Sequence, residues 1–153
     1  MKLRPYEIPD TSEIMQLFYD TIHQVNILDY TKEQVDAWAP ENMNIEAWIQ
    51  SLSSRFTYVA EEAGKIVGFG ELEADGHIHR FYCHQDFQRQ GIGTKILGQI
   101  ELKAKELEIQ KLFTEASITA KPFFESHNFI VIKKQEVERR GQKLINFIME
   151  KNI

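Results

Sequence analysis

A polar turn with two glycines separates an apolar strand pattern from a long helical pattern, and it constrains the fold more than any other feature. The strand pattern runs from His77 to Cys83, and the turn ends in Gln88-Arg89-Gln90-Gly91-Ile92-Gly93. The first N–H groups of a helix have no partner within it, and the helix dipole favours negative charge there. Gly91 and Gly93 carry no Cβ, so a phosphate can approach the backbone closely. The turn therefore predicts a site for a phosphate-bearing ligand.

Length and charge narrow the class of protein. A chain of 153 residues is expected to form a single domain over residues 1–153, large enough for a core. The net charge of −5 argues against a general nucleic-acid partner. No run is long and apolar enough for a membrane span or a signal core. One cysteine, Cys83, fits a reducing compartment. We therefore expect a cytoplasmic protein without a membrane or nucleic-acid partner.

Hydrophobic periodicity predicts the order of helices and strands. Helical spacing is expected over residues 11–24, with an N-cap within Asp10-Thr11-Ser12, and over 31–38, 44–52, 92–108 and 120–126. The stripe of the long fourth helix consists of Ile92, Ile96, Ile100, Ala104 and Leu107. Strand patterns cover residues 56–61, 66–73, 77–83, 112–116, 129–137 and 144–151. This order predicts an α/β fold whose mixed, mostly antiparallel sheet of six to seven strands is flanked by helices.

Three nucleotide motifs compete for the glycine turn. A Walker loop ends in Gly-Lys-Ser/Thr, whereas the order here is Gly93-Thr94-Lys95, so that interpretation fails. A dinucleotide fingerprint places a third glycine where Ile96 stands, although Glu115 lies at a plausible distance for a ribose-binding acid. A plain connection between strand and helix is a further alternative, since glycine turns are common.

The remaining motif, which is the third of the nucleotide motifs, fits best. Gln88-x-x-Gly91-x-Gly93 resembles the acyl-CoA-binding segment of the GCN5-related N-acetyltransferase superfamily. The segment from Ala120 to Phe129, Ala-Lys-Pro-Phe-Phe-Glu-Ser-His-Asn-Phe, is similar to that family's second signature, in which Ala-x-x-Phe-Tyr precedes Gly-Phe. The resemblance covers essentially the whole chain. It implies the acyl-CoA N-acyltransferase fold and acetyl-CoA as cosubstrate.

The resemblance also implies which residues hold the cofactor. The diphosphate of coenzyme A is expected on backbone amides of the turn, the pantetheine arm along the preceding strand, and Ser117 where the family often has asparagine. These expected cofactor-binding residues are Phe81, Tyr82, Cys83, Gln88, Arg89, Gln90, Gly91, Ile92, Gly93, Thr94 and Ser117.

Two histidines precede the turn at strand spacing. Because residues two apart on a strand share a face, His77, His79, Phe81 and Cys83 are expected to line up. Imidazoles have an ordinary pKa of about 6.5, which suits removal of a proton from an amine. The spacing resembles that of the arylalkylamine N-acetyltransferases and makes His77 and His79 the candidate catalytic bases. They have two alternatives, a packing role beside Phe81 and a zinc site with Cys83; without an evident third and fourth ligand, we expect no metal.

One position departs from the family. Its usual general acid is the tyrosine of Phe-Tyr, and Phe124 stands there. The alternative sources of the proton are water or another donor such as Tyr82, Cys83 or Ser117. Glu71 and Glu73 are spare candidates for the base, although each is more often a solvated strand residue.

The sequence therefore predicts an N-acetyltransferase that acts on a primary amine by direct attack in a ternary complex. The alternative is a non-catalytic acyl-CoA sensor, which Phe124 favours. Aromatic residues of the N-terminal helices, such as Tyr30 and Trp38, are candidates for the acceptor wall, although Trp38 and Trp48 are expected in the core. Homodimers are frequent in the family.

Overall fold

The computed structural model describes residues 1–87 and 91–153, which form seven strands and five helices, with short 3-10 turns between them. The helices are α1 Thr11–Gln24, α2 Lys32–Trp38, α3 Ile45–Ser53, α4 Ile92–Glu106 and α5 Lys121–Ser126. The strands are β1 Lys2–Pro5, β2 Phe56–Glu62, β3 Lys65–Leu72, β4 His77–Cys83, β5 Lys111–Ser117, β6 Ile130–Arg139 and β7 Gln142–Asn152.

The strands form one sheet in the order β1-β2-β3-β4-β5-β7-β6. Every neighbouring pair is antiparallel except β4 and β5, which are parallel. The prediction of a mixed, mostly antiparallel sheet of six to seven strands is confirmed. Among the described residues, no helix is long and apolar enough to cross a membrane.

Helices cover both faces of the sheet and create two cores. Helix α4 lies on one face, where Ile92, Ile96, Ile100 and Ala104 are buried as predicted. Leu107 follows the end of the helix and is 38% exposed, so its place in the stripe is wrong. Helices α1, α2 and α3 supply the second core on the other face.

Two glycines of β3 bring α4 close to the sheet. A Cβ atom at Gly68 would lie 2.8 Å from the Cδ1 atom of Ile96, and one at Gly70 would lie 2.9 Å from its Cγ2 atom. Any larger residue at these positions would force the side chain of Ile96, or the helix that carries it, to shift. This contact sets the position of the N-terminal end of α4 relative to the strands.

The helix starts are set by local hydrogen bonds. Thr31 and Gln34 form a capping box at α2, and the side chain of Asn44 accepts from the N–H group of Ala47 at α3. At α1, Asp10 is the N-cap residue, within the predicted segment, but its side chain makes no capping hydrogen bond. It accepts two hydrogen bonds of 2.9 Å from the guanidinium of Arg4 instead.

Candidate functional site

A cleft opens where β4 and β5 separate. The two parallel strands pair only at His77 with Phe113 and at Ile78 with Thr114 within their described residues. The hydroxyl of Thr114 closes this short ladder by donating to the carbonyl oxygen of Ile78 at 2.9 Å. Beyond that point a cavity of about 360 Å³ lies between the strands. Within the described residues, the edge of β4 that faces β5 has no strand neighbour from residue 79 onward.

The N-terminal end of α4 borders this cavity. Gly91 has φ +78°, a left-handed conformation that favours glycine. Chain neighbours apart, no heavy atom of the described residues lies within 4 Å of its ideal Cβ position. Residues Gly91, Ile92, Gly93 and Thr94 all line the cavity. The predicted cofactor residues Gln88, Arg89 and Gln90 lie outside the described residues.

The second glycine of the turn also has a packing role, and its predicted role at the phosphate stays a prediction. A Cβ atom at Gly93 would lie 2.8 Å from the Cε1 atom of Phe123. Gly93 is therefore required by the packing of α4 against α5, and the open space expected for a phosphate exists at Gly91. The aromatic ring of Phe123 forms part of the same cavity wall.

A histidine that the sequence analysis did not single out stands beside this helix end. The Nε2 atom of His127 lies 2.9 Å from the hydroxyl of Thr94, and its ring packs against Phe123 at 4.3 Å between centroids. Its Nδ1 atom lies 2.8 Å from the carbonyl oxygen of Phe123, which can only accept. In the neutral ring, Nδ1 therefore carries the proton and Nε2 accepts from Thr94.

The three predicted cofactor residues of β4 alternate between the faces of the sheet. Phe81 packs against Phe123 and Phe124 on the α4 side, with centroid distances of 5.4 and 5.5 Å. Tyr82 packs against Phe18 on the other side, at 5.0 Å. Burial raises the pKa of the Tyr82 hydroxyl and raises that of the Cys83 thiol to about 12. Both groups therefore keep their protons at neutral pH.

Phe124, at the position of the family's usual tyrosine, is 2% exposed and lines the cavity. Ser117, predicted to stand in for an asparagine, lies across from it on β5. Its hydroxyl oxygen accepts from the N–H group of Ala120 at 3.0 Å and from the amide of Asn26 at 3.3 Å. Ser117 can then donate its own hydrogen into the cavity.

The predicted alignment of four side chains on β4 is wrong because the strand contains a β-bulge. Gly70 pairs with Phe81 and Leu72 pairs with Ile78, so an extra residue is inserted into β4 between these pairs. As a result Ile78, Phe81 and Cys83 all pack against the α4 core. His77 and His79 project from the opposite face.

His77 is clamped between two carboxylates. Its Nδ1 atom contacts Glu73, which follows β3, and its Nε2 atom lies 2.9 Å from Oε1 and 3.1 Å from Oε2 of Glu115 on β5. Burial opposes protonation of the ring, but hydrogen bonds and charge interactions with Glu115 and Glu73 prevail and raise its pKa to about 9. With this pKa His77 is mainly protonated at neutral pH, which disfavours it as the predicted base.

The pKa of His79 is shifted in the opposite direction from that of His77. His79 lines the cavity, whereas His77 does not. The side chain of His79 is exposed to the cavity, but partial desolvation by the surrounding atoms and then the positive charges of Arg55, Arg80 and His77 lower its pKa to about 4. His79 is therefore neutral at working pH, with a nitrogen free to accept a proton. The structure brings the two predicted histidines together, with ring centroids 5.8 Å apart, but gives them different charges.

Glu73 is a third potential metal ligand, which was not predicted from the sequence. Ligand atoms of Glu73, His77 and His79 lie within 4.8 Å of one another. Both ring nitrogens of His77 already face carboxylates, so an ion-pair network accounts for this geometry. The sequence feature that could have indicated this grouping is the short spacing of Glu73 and His77 across the turn between β3 and β4.

Glu71 is buried rather than solvated. It is 0% exposed and forms a bidentate pair with Arg80, in which Nη2 lies 3.0 Å from Oε1. The guanidinium of Arg80 also stacks on the ring of Trp48 at 3.9 Å, which places Trp48 in the core as expected. This pairing leaves Glu71 a structural role and removes it from the candidates for the base.

Aromatic residues of the N-terminal helices divide between core and cavity. The hydroxyl of Tyr30 donates to the carbonyl oxygen of Ile145 at 2.6 Å and accepts from the N–H group of Ile118 at 2.9 Å. Tyr30 therefore joins the segment before α2 to β7 and to the loop after β5. Trp38 is partly buried and lines the cavity together with Asn26.

The comparisons with known proteins agree with this geometry. The sequence profile of the family described as Acetyltransferase (GNAT) domain matches residues 26–151. A relative from Escherichia coli (strain K12), the uncharacterized N-acetyltransferase YafP, is 28% identical over 149 residues, which cover 97% of this chain and 94% of the relative.

Solved structures share the fold. The crystal structure of a GCN5-related N-acetyltransferase from Rhodopseudomonas palustris has a TM-score of 0.96 and 30% identity, covering 99% of this chain and 95% of the other. The PaiA N-acetyltransferase from Thermoplasma acidophilum, solved in complex with coenzyme A, has a TM-score of 0.80 and 19% identity, covering 99% and 98%.

A parallel strand pair that separates beside a helix N-terminus, in a mostly antiparallel sheet, defines the class of acyl-CoA N-acyltransferases. The chain belongs to the GNAT acetyltransferase family. It is an acetyl-CoA-dependent acyltransferase, with acetyl-CoA as cosubstrate.

Proposed function

We propose that this enzyme transfers the acetyl group of acetyl-CoA to a primary amine by direct attack of the amine nitrogen within a ternary complex. The observation that carries the proposal is the separation of β4 from β5 after Ile78, beside the N-terminus of α4. The cavity is lined by residues of both sheet faces, so two ligands can meet in it from opposite sides. Phe123 and Phe124 mark the α4 side, and Asn26 and Trp38 mark the α1–α2 side.

The residues on the α4 side fit coenzyme A. Backbone amides from Gly91 to Thr94 lie at the positive end of a 15-residue helix and line the cavity, which suits a diphosphate. The β5-facing edge of β4 suits the amide groups of pantetheine in the manner of an added strand. Acetyl-CoA supplies an acetyl thioester when bound. Contacts from Gln88, Arg89 and Gln90 stay predictions.

Of the two predicted bases, we propose His79. Its neutral imidazole lines the cavity and accepts the proton that the amine nitrogen loses as it attacks, directly or through one water. His77 is protonated and supports the site through its carboxylate partners.

For the leaving thiolate, we propose stabilisation by the hydroxyl of Ser117, with the proton supplied from water. Cys83 and Tyr82 hold their protons too tightly to serve as acids at neutral pH. Phe124 has no proton to give. The single cysteine of the chain is consistent with action in the cytoplasm.

The test combines calorimetry with a thiol-release assay over a panel of primary amines. We expect acetyl-CoA to bind and thiol to appear only when an amine is present. Gly91→Val should weaken binding, because a β-branched residue resists the left-handed conformation. Gly141→Val is the matched control, since Gly141 has φ +84° and equally open space at the tip of the β6–β7 hairpin. Binding without thiol release for every amine would favour the acyl-CoA sensor.

A further inference from the structure

The closed end of the cleft carries a carboxylate whose two oxygens share one partner. Glu115 lies on β5, lines the cavity, and has a side chain that is 39% exposed. Both of its oxygens meet the same Nε2 atom of His77, at 2.9 and 3.1 Å. A carboxylate has about four lone-pair positions, so one shared N–H donor leaves most of its accepting capacity directed elsewhere.

The surroundings of Glu115 fix its position. His77 is held from its other side by Glu73, and its ring stacks on Phe113 at 5.0 Å between centroids. Because Phe113 and Glu115 belong to the same face of β5, one imidazole packs on one residue and pairs with the other. A carboxylate held in this way loses little conformational entropy when it binds a ligand.

The charges near this end of the cleft are otherwise paired. Glu71 pairs with Arg80, and Glu73 pairs with His77 and with Arg55, whose Nε atom lies 3.3 Å from Oε2. His79 is the neutral neighbour. Glu115 is thus the anionic group that lines the cavity and is still exposed to it. An amine arriving from the α1–α2 side meets this carboxylate in the same cavity that His79 lines.

We propose that Glu115 determines the class of acceptor, by binding the ammonium form of alkyl and peptidyl amines, and that His77 is its positioning residue. This inference rests on the proposed function and assigns its substrate class. Amines that carry a positive charge at neutral pH gain a charge-assisted hydrogen bond from Glu115. Arylamines, which are neutral at that pH, gain none. The bound ammonium first gives one proton to solvent water in the cavity, which frees the nitrogen lone pair for attack. His79 accepts the second proton, which the nitrogen loses as it attacks.

The test measures binding to the enzyme saturated with coenzyme A, so it does not require turnover. The probes are benzylamine, 1,4-diaminobutane and triglycine, each paired with a neutral analogue: benzyl alcohol, 1,4-butanediol and N-acetyltriglycine. We expect at least one amine to bind about tenfold or more tightly than its analogue. Glu115→Gln should abolish that preference while leaving the affinity for coenzyme A unchanged. Glu136→Gln is the matched control, because Glu136 is an exposed carboxylate on the distant edge strand β6.

His77→Gln tests the positioning role. It should raise KM for cationic amines about tenfold with little change in kcat, and leave KM for aniline unchanged. Loss of fold alone would instead lower the activity with cationic amines and the activity with aniline together. Equal binding of every amine and its analogue, or an unchanged preference in Glu115→Gln, would overturn the assignment. Failure of the proposed function would look different, namely ammonium binding without thiol release.

Discussion

The Nε2 atom of His77 lies 2.9 Å from Oε1 of Glu115, across the short ladder that joins β4 to β5. Glu73 contacts the other nitrogen of the same ring, so three neighbouring strands or strand ends meet at one imidazole. The cleft begins at His79, the first residue of β4 after this ladder. This ion-pair cluster therefore closes the end of the cleft, and its charge state should be visible in both stability and activity.

The free energy of unfolding should fall as pH rises through the pKa of His77. That pKa is about 9 in the folded protein, against 6.5 for an ordinary histidine. The stabilisation is fully present below about pH 6.5 and is lost as pH rises towards and through about 9, with an upper limit of about 3 kcal/mol. Urea denaturation between about pH 6 and pH 10 measures it.

His77→Gln supplies the comparison for this slope. Its stability should change less over the same range, because glutamine does not titrate. Other groups titrate in both proteins, so the difference between the two curves isolates His77. Parallel curves would contradict the raised pKa.

The rate should be insensitive to mild acid when an arylamine is the acceptor. Burial and nearby positive charges lower the pKa of His79 to about 4, so the ring stays neutral down to about pH 5.5. An arylamine that is itself neutral throughout removes the acceptor's own titration. We expect kcat/KM to be flat between about pH 5.5 and pH 8. An acid limb with a midpoint near 6.5 would instead indicate an unperturbed imidazole.

Much of the fold follows from local patterns in the sequence. The helix over residues 11–24 and the strand His77–Cys83 have the predicted bounds, since apolar spacing reports which side faces a core. Capping residues Thr31 and Asn44 fixed the next two helix starts. The parallel pairing of β4 with β5 does not follow from such patterns, because strand order depends on contacts between distant segments.

The candidate site was less predictable because one inserted residue changes which side chains share a face. The bulge of β4 separates His77 and His79 from Phe81 and Cys83, and nothing in the local pattern marks it. The charges of the two histidines were also inaccessible, since Glu115 is 38 positions from His77 in the chain. Distant partners of this kind set a pKa without leaving a sequence motif.

Gly93→Ala should destabilise the enzyme by about 1–3 kcal/mol, because the new Cβ atom would lie 2.8 Å from the ring of Phe123. The displaced ring should also weaken binding of coenzyme A, since Phe123 lines the cavity. Gly98→Ala is the control in the same helix: its Cβ position is open, and we expect stabilisation of about 1 kcal/mol.

A second substitution tests the cause of the Gly93→Ala effect. Phe123→Leu makes room for the added methyl group, so the double variant should lose less stability than the sum of the single variants. Additive losses would show that the contact with Phe123 is not responsible. Thermal denaturation of the four proteins completes the cycle.

Asn128→Val should destabilise the protein by about 1–2 kcal/mol, and Asn128→Gly should not. Asn128 has φ +71°, a left-handed conformation in which asparagine is tolerated and a β-branched residue is strained. This explains why asparagine can stand where the family signature has glycine. Denaturant midpoints of the two variants provide the measurement; equal losses would show that another property of Asn128 matters.

Phe124→Tyr should raise kcat if departure of the thiolate limits turnover. Phe124 lines the cavity and is 2% exposed, at the position where the family usually has its tyrosine. A positioned acid typically contributes a factor of about 10² or more, so we expect a gain of at least about tenfold with the best acceptor. An unpartnered buried hydroxyl would cost about 1–3 kcal/mol of stability, which denaturation detects separately.

Phe123→Tyr is the matched control for this gain, because Phe123 is the neighbouring ring in the same wall, 5.3 Å away between centroids. A hydroxyl there changes the polarity of the cavity without occupying the signature position. If both variants accelerate the reaction equally, general polarity is the cause. If neither does, protonation of the thiolate is not limiting, and proton removal beside His79 or product release controls the rate. A gain confined to Phe124→Tyr would show that the natural enzyme turns over without a side-chain acid at this position.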